Sequence, residues 1–119
     1  MLSEETHRRG KTIIAADVLL TIARLSALGV PGVARMSQVP GGVNRLFQRG
    51  LGDGVRIEVK DLAVAVELYL VVNPNTQVRE VSRAVQVEVA RAIQEMVGME
   101  VLNVNVHIED IALPERNAP

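Results

Sequence analysis

Apolar and polar positions repeat with two different periods along this chain, and each period predicts its own kind of element. Val55-Arg56-Ile57-Glu58-Val59-Lys60 alternates strictly, as a strand with one buried face does. After Asp61-Leu62, a second run from Ala63 to Val72 places Val64, Val66, Leu68, Leu70 and Val72 on one side. The two predict a β-hairpin, although Asp-Leu is not the favoured Asp-Gly turn. Val101 to Ile108 predicts another strand, with Leu102, Val104, Val106 and Ile108 facing inward and Asn103, Asn105, His107 and Glu109 facing outward.

The other period is helical. Val78, Val81, Val85, Val89, Ala92, Ile93 and Met96 recur at steps of three and four, which predicts a helix over residues 76–97. Asn75 or Thr76 would supply the N-cap oxygen, and Gly98 the residue that ends the helix. An earlier helix over residues 16–28 follows from Val18, Leu19, Ile22, Ala23, Leu25 and Leu28, with Asp17 in its first turn and Gly29 and Pro31 stopping it. Short strands are expected at residues 11–15 and at Val33-Ala34-Arg35-Met36. Residues 37–54 hold five glycines and one proline in 18 positions and read as a long loop, with one amphipathic turn through Val43, Leu46 and Phe47.

These elements assemble one way. The strands share an aliphatic face and a polar face, and the two amphipathic helices must cover the aliphatic one. The fold class is α+β, a two-layer sandwich with a mainly antiparallel sheet and both helices on one face. Residues 1–10 read as a flexible leader, 11–110 as a single domain and 111–119 as a disordered tail. Arg56, Glu58, Lys60, Glu67, Tyr69, Asn103, Asn105 and His107 are expected on the open side of the sheet.

Composition narrows the chemistry. The chain has 119 residues and is 48% hydrophobic, enough for one core, and Phe47 and Tyr69 are its only aromatics. With no cysteine, disulfides, thiol catalysis and cysteine-ligated zinc are excluded. Thirteen basic residues against 14 acidic ones leave a net charge of -1. The one local cluster of positive charge is His7-Arg8-Arg9 with Lys11, in the leader. No signal peptide is visible and no apolar run nears the length of a membrane span, so the expected location is the cytoplasm.

No motif assembles a catalytic site. Gly10-Lys11-Thr12 resembles the end of a phosphate-binding loop, but Glu5 stands where its first glycine belongs and no strand precedes it. Gly50-Leu51-Gly52-Asp53-Gly54 precedes a strand rather than a helix, the wrong polarity for a dinucleotide loop. Gly29-Val30-Pro31-Gly32 matches the GxxG of KH domains, which joins two helices, whereas here a strand is expected next. A small RNA-binding domain of KH-like type is therefore the alternative function, without the basic, aromatic-lined surface that single strands want. His7 and His107 are too few for a metal site, which needs three or four convergent ligands. Ser3, Ser26, Ser37 and Ser82 lack the setting of a nucleophile. Glu58, Glu67 and Glu109, with Arg56 and Lys60 interleaved, read as cross-strand ion pairs rather than an acid–base dyad. No catalytic, cofactor-binding or metal-binding residue is assigned, no cofactor or small-molecule substrate is expected, and the chain is read as a non-enzyme.

The order of elements is familiar as a whole. Gly10-Lys-Thr-Ile-Ile-Ala, Asp17-Val, and Val30-Pro-Gly-Val-Ala-Arg-Met-Ser37 open it. Val55-Arg-Ile-Glu-Val-Lys60, Val64-Ala-Val-Glu-Leu-Tyr-Leu-Val-Val72, Val78-Arg-Glu-Val81, Val97-Gly-Met-Glu-Val101 and Asn103-Val-Asn-Val-His107 follow. Over residues 10–110 the chain resembles the alkaline shock protein family of Gram-positive and related bacteria, which includes alkaline shock protein twenty-three and general stress protein twenty-four. The resemblance implies a non-enzymatic envelope stress-response protein that self-assembles or binds partners. It also implies that an anchored partner protein can recruit the chain to the inner face of the cell membrane, and it carries no catalytic residues over.

Overall fold

A computed structural model of the chain describes residues 16–39, 51–52 and 54–113. Its elements are α1 (residues 16–28), β1 (Val33–Met36), β2 (Leu51–Gly52), β3 (Val55–Lys60), β4 (Ala63–Val72), α2 (Val78–Met96) and β5 (Glu100–Ile111). The expected strand at residues 11–15 and the expected turn through Val43, Leu46 and Phe47 lie outside the described residues. The fold is α+β, and its five-stranded sheet is organised around β4.

β4 is central because its apolar positions occur on both sides of the strand. On one face Val64, Val66, Leu68, Leu70 and Val72 are all fully buried. Beneath the helices they meet Leu19, Ile22, Ala23 and Ala27 of α1, Val81, Val85, Val89 and Ile93 of α2, and Val104 of β5 in one core. β3 pairs antiparallel with β4 from Val55↔Leu68 to Lys60↔Ala63, as the hairpin pattern predicts. Asp61 makes the turn with φ 56°, a left-handed conformation that aspartate tolerates better than most residues. β5 returns through α2 and runs parallel to β4, so β4–α2–β5 is a βαβ unit attached to an otherwise antiparallel sheet.

β1 and β3 lie end to end along the same edge of β4. β1 opposes Val72 to Leu70, and β3 takes over at Leu68. Tyr69 sits at the junction and pairs with both stems: Ser37 N donates to its carbonyl at 2.7 Å, and its own N–H donates to the Gly54 carbonyl at 2.9 Å. The chain between Ser37 and Gly54 is thus an insertion into what is otherwise one strand line. Gly54 is required where the stems meet. Its φ is +72°, and a Cβ there would lie 2.6 Å from the Ser37 carbonyl and 2.9 Å from that of Tyr69. Within the glycine-rich stretch, Leu51–Gly52 forms the short strand β2 against Val55 and Arg56, an element not expected from the sequence.

Three expectations need correction. In α1 the buried stripe is Leu19, Ile22, Ala23 and Ala27, while Val18, Leu25 and Leu28 are exposed. The helix is apolar on more than one side, so spacing alone does not select its inner face. The N-cap of α2 is Gln77, with no side-chain bond, rather than Asn75 or Thr76. Asn75 instead occupies a left-handed turn at φ 62°, and Val78 and Met96 at the helix ends are exposed. In β5 the alternation is broken twice, between the partners of Val64 and Ala65 and between those of Leu70 and Val71. The first bulge leaves Leu102 exposed and lets Val101 pack against the core in its place. The second falls at Glu109 and brings Asp110 opposite Val71.

Candidate functional site: the polar face of the sheet

The reverse face of the sheet is assembled in rows by register. Glu58, Ala65 and Asn103 stand side by side, then Arg56, Glu67 and Asn105, then Tyr69 and His107. In the first two rows long polar side chains on β3 and β5 flank the middle strand, and Ala65 contributes only a methyl group. The result is an open hollow of about 560 Å³ with Ala65 on its floor, walled by Arg56, Glu58, Lys60, Glu67, Asn103 and Asn105.

A coupled set of side chains closes one end. Arg56 Nη1 lies 3.6 Å from Glu67 Oε1, the cross-strand pair that interleaved charges predict. Tyr69 donates its hydroxyl to the same oxygen at 3.0 Å. The Tyr69 ring stacks on the His107 imidazole, with centroids 4.6 Å apart and planes 10° from parallel. His107 Nε2 points inward, 3.9 Å from Glu67 Oε2, and this atom is sealed from solvent without a hydrogen-bond partner, although the rest of the ring is partly exposed. Burial raises the Tyr69 phenol above its ordinary range. The hydrogen bond to Glu67 and that carboxylate's charge push the same way, and the Arg56 guanidinium opposes them.

Tyr69 corrects the expectation of a wholly open face, since it is only 7% exposed. Sequence reasoning places Tyr69 and His107 on the same face without pairing them. Their contact depends on a parallel register between strands separated by a whole helix, for which the sequence carries no local signal. His107 meets Glu67 rather than Glu109, its neighbour along β5.

The remaining candidates are dispersed. Ser26 lies in α1 and Ser82 in α2, while Ser37 uses its backbone N–H to hold Tyr69. Gly29-Val30-Pro31-Gly32 joins α1 to β1 rather than to a second helix. Gly32, at φ +103°, lets this connection approach Val81 of α2, which a Cβ would meet at 2.6 Å. His7, Ser3, the Arg8-Arg9 cluster and Gly10-Lys11-Thr12 lie outside the described residues. Among the described residues no group of three or more His, Asp or Glu side chains converges as a metal site would require. No helix among them is long and apolar enough to cross a membrane. What the face offers is a mixture of charges and amides around an open depression, with a stacked aromatic pair beside it.

Comparison with known proteins gives this geometry a context. The chain is similar to the uncharacterized protein YqhY of Bacillus subtilis, with 31% identity over 110 residues that cover 91% of this chain and 81% of that protein. It is similar to YloU of the same organism at 23% identity over 115 residues, covering 93% of this chain and 96% of the relative. Spy1614 of Streptococcus pyogenes serotype M6 matches at 27% over 108 residues, covering 87% and 89%. No solved structure matches the chain. Residues 4–113 match the alkaline shock protein twenty-three family, described by its cell envelope-related function, and the chain belongs to that family.

Proposed function

We propose that this chain is a non-enzymatic protein of the cell-envelope stress response, acting as a self-associating or partner-binding module. It works in the cytoplasm, at the inner face of the cell membrane where an anchored partner protein recruits it, and uses no cofactor or small-molecule substrate. The observation that carries this reading is the polar hollow, which the helices leave uncovered. Its walls present both signs of charge and two amides, groups suited to many shallow contacts with a protein surface. The envelope-related function of the family gives the setting.

The test is a capture experiment from membranes of the native host, comparing the unchanged chain with a variant carrying Glu58→Arg and Asn103→Arg. Both positions are exposed, so the variant should fold normally. Recovery of one integral membrane protein by the unchanged chain, and its loss with the variant, is the expected result. Equal recovery by both would remove the hollow from the reading. Unchanged survival of a deletion strain under envelope-damaging treatment would remove the stress role.

A further inference from the structure

We infer that the outer edge of β5 pairs antiparallel with β5 of a second copy, about a twofold axis at Val106, joining two sheets into one. The inference rests on the self-association named above and assigns it a surface. β5 is the longest strand of the sheet, with 12 residues, and among the described residues its one strand partner is β4. Gln86 of α2 donates its side-chain amide to the Val104 carbonyl at 2.9 Å, so the Val104 peptide group faces away from β4. The two-residue period of a strand then turns Val106 and Ile108 outward as well. Beyond them the edge is closed: Ile111 N donates to the Asp110 carboxylate at 2.8 Å. Among the described residues, a short window of backbone donors and acceptors therefore lies open between two guarded ends, flanked by the two bulges.

The opposite side of the sheet is a poorer candidate. β2 already occupies β3 at Val55 and Arg56, and the remaining edge carries Glu58 and Lys60, charges that discourage further pairing.

The occupant is fixed by complementarity. With the axis at Val106, Val106 meets its own copy and exchanges both backbone bonds. Val104 faces Ile108 on the helix side, while Asn105 faces His107 and Asn103 faces Glu109 on the polar side. β-branched residues oppose each other, amides oppose an imidazole and a carboxylate, and no like charges meet. Moving the axis to Asn105 sets Glu100 against Asp110. Moving it to Val104 brings together two carbonyls that Gln86 already occupies. The Val106 register keeps like charges apart and leaves its central pair free of Gln86, whose bond to the Val104 carbonyl is met only at the flanking Val104–Ile108 pairs.

Because the chain contains no cysteine, a single introduced thiol reports on this contact without background. Opposed residues in such a pair have Cα atoms about 5.5 Å apart, inside the roughly 4.4–6.8 Å span of a disulfide. Full-length Val106→Cys should therefore link into a covalent dimer under mild oxidation, whereas Glu95→Cys, on the exposed face of α2, should not. Val106→Pro removes a donor that faces away from β4, so circular dichroism should stay native while light scattering shows the dimer lost. Two results overturn the inference, and they differ. If the unchanged chain is monomeric at every concentration, self-association itself fails. If it is oligomeric but Val106→Cys does not link and Val106→Pro keeps its mass, the β5 edge fails while self-association stands.

Discussion

On one face of β4, Val64, Val66, Leu68, Leu70 and Val72 are sealed beneath two helices, whereas on the other Ala63, Ala65 and Glu67 stay partly open and only Tyr69 and Val71 are buried. One strand thus serves two purposes. Its helix side gathers the apolar burial that stabilises the domain, and its reverse side presents a polar surface whose composition the fold barely constrains. Separating the two should be possible by substitution, because side chains on opposite faces of a strand share no neighbours.

The largest effect is expected on the sealed face. Leu68→Ala removes a fully buried side chain from the middle of the core and should lower stability by about 2–5 kcal/mol. Urea unfolding would measure the loss, and a change within experimental error would show that the core is not where the burial places it. An intermediate effect is expected at the junction of β1 and β3. Gly54→Ala must accommodate a methyl group against two backbone carbonyls at positive φ, at a cost of about 1–3 kcal/mol. If its thermal midpoint matches that of the unchanged chain, the stems do not meet as closely as described.

The smallest effect on stability belongs to the polar face. Glu67→Gln leaves the core untouched and removes an ion pair whose partners are 50% and 33% exposed, so it should cost less than about 1 kcal/mol. Its signature is spectroscopic. Tyr69 is the chain's single tyrosine, so the ultraviolet absorbance of tyrosinate follows that residue alone. In the unchanged chain its phenol should ionise above the ordinary value of about 10. Glu67→Gln should lower that midpoint without restoring it fully, because burial remains the leading cause. The sign for stability follows: a phenol held protonated by the fold contributes below its unfolded pKa, and the contribution is lost as pH rises through the folded one. Folding should therefore weaken in strong alkali less steeply for Tyr69→Phe than for the unchanged chain.

Much of this architecture can be read from periodicity. The β3–β4 hairpin and the inward stripe of α2 follow from residues close in sequence, where strand and helix periods differ plainly. The misses have a common physical origin in choices made between distant segments. Val18, Leu25 and Leu28 are as apolar as the residues α1 buries, and only the position of the sheet decides which side turns inward. Leu102 has the spacing of a core residue, but a bulge shifts the register of β5 by one position and turns it outward. Gln77, which offers no side-chain bond, takes the cap because Asn75 is drawn into the preceding turn. The polar face is legible as a set of residues. Its internal order is not, since the Tyr69–His107 stack and the approach of His107 to Glu67 depend on a parallel pairing across α2.

Tyr69 holds both ends of the segment that departs after Ser37 and returns at Gly54. Those two bonds work like the clasp of a pouch: whatever length or composition the enclosed segment takes, β3 resumes its alignment with β4 at the same residue. Relatives could therefore lengthen, shorten or rewrite this stretch without disturbing the barrier between core and solvent. It is also the natural place for a protein engineer to splice in foreign sequence, with the packed layers below left as they are.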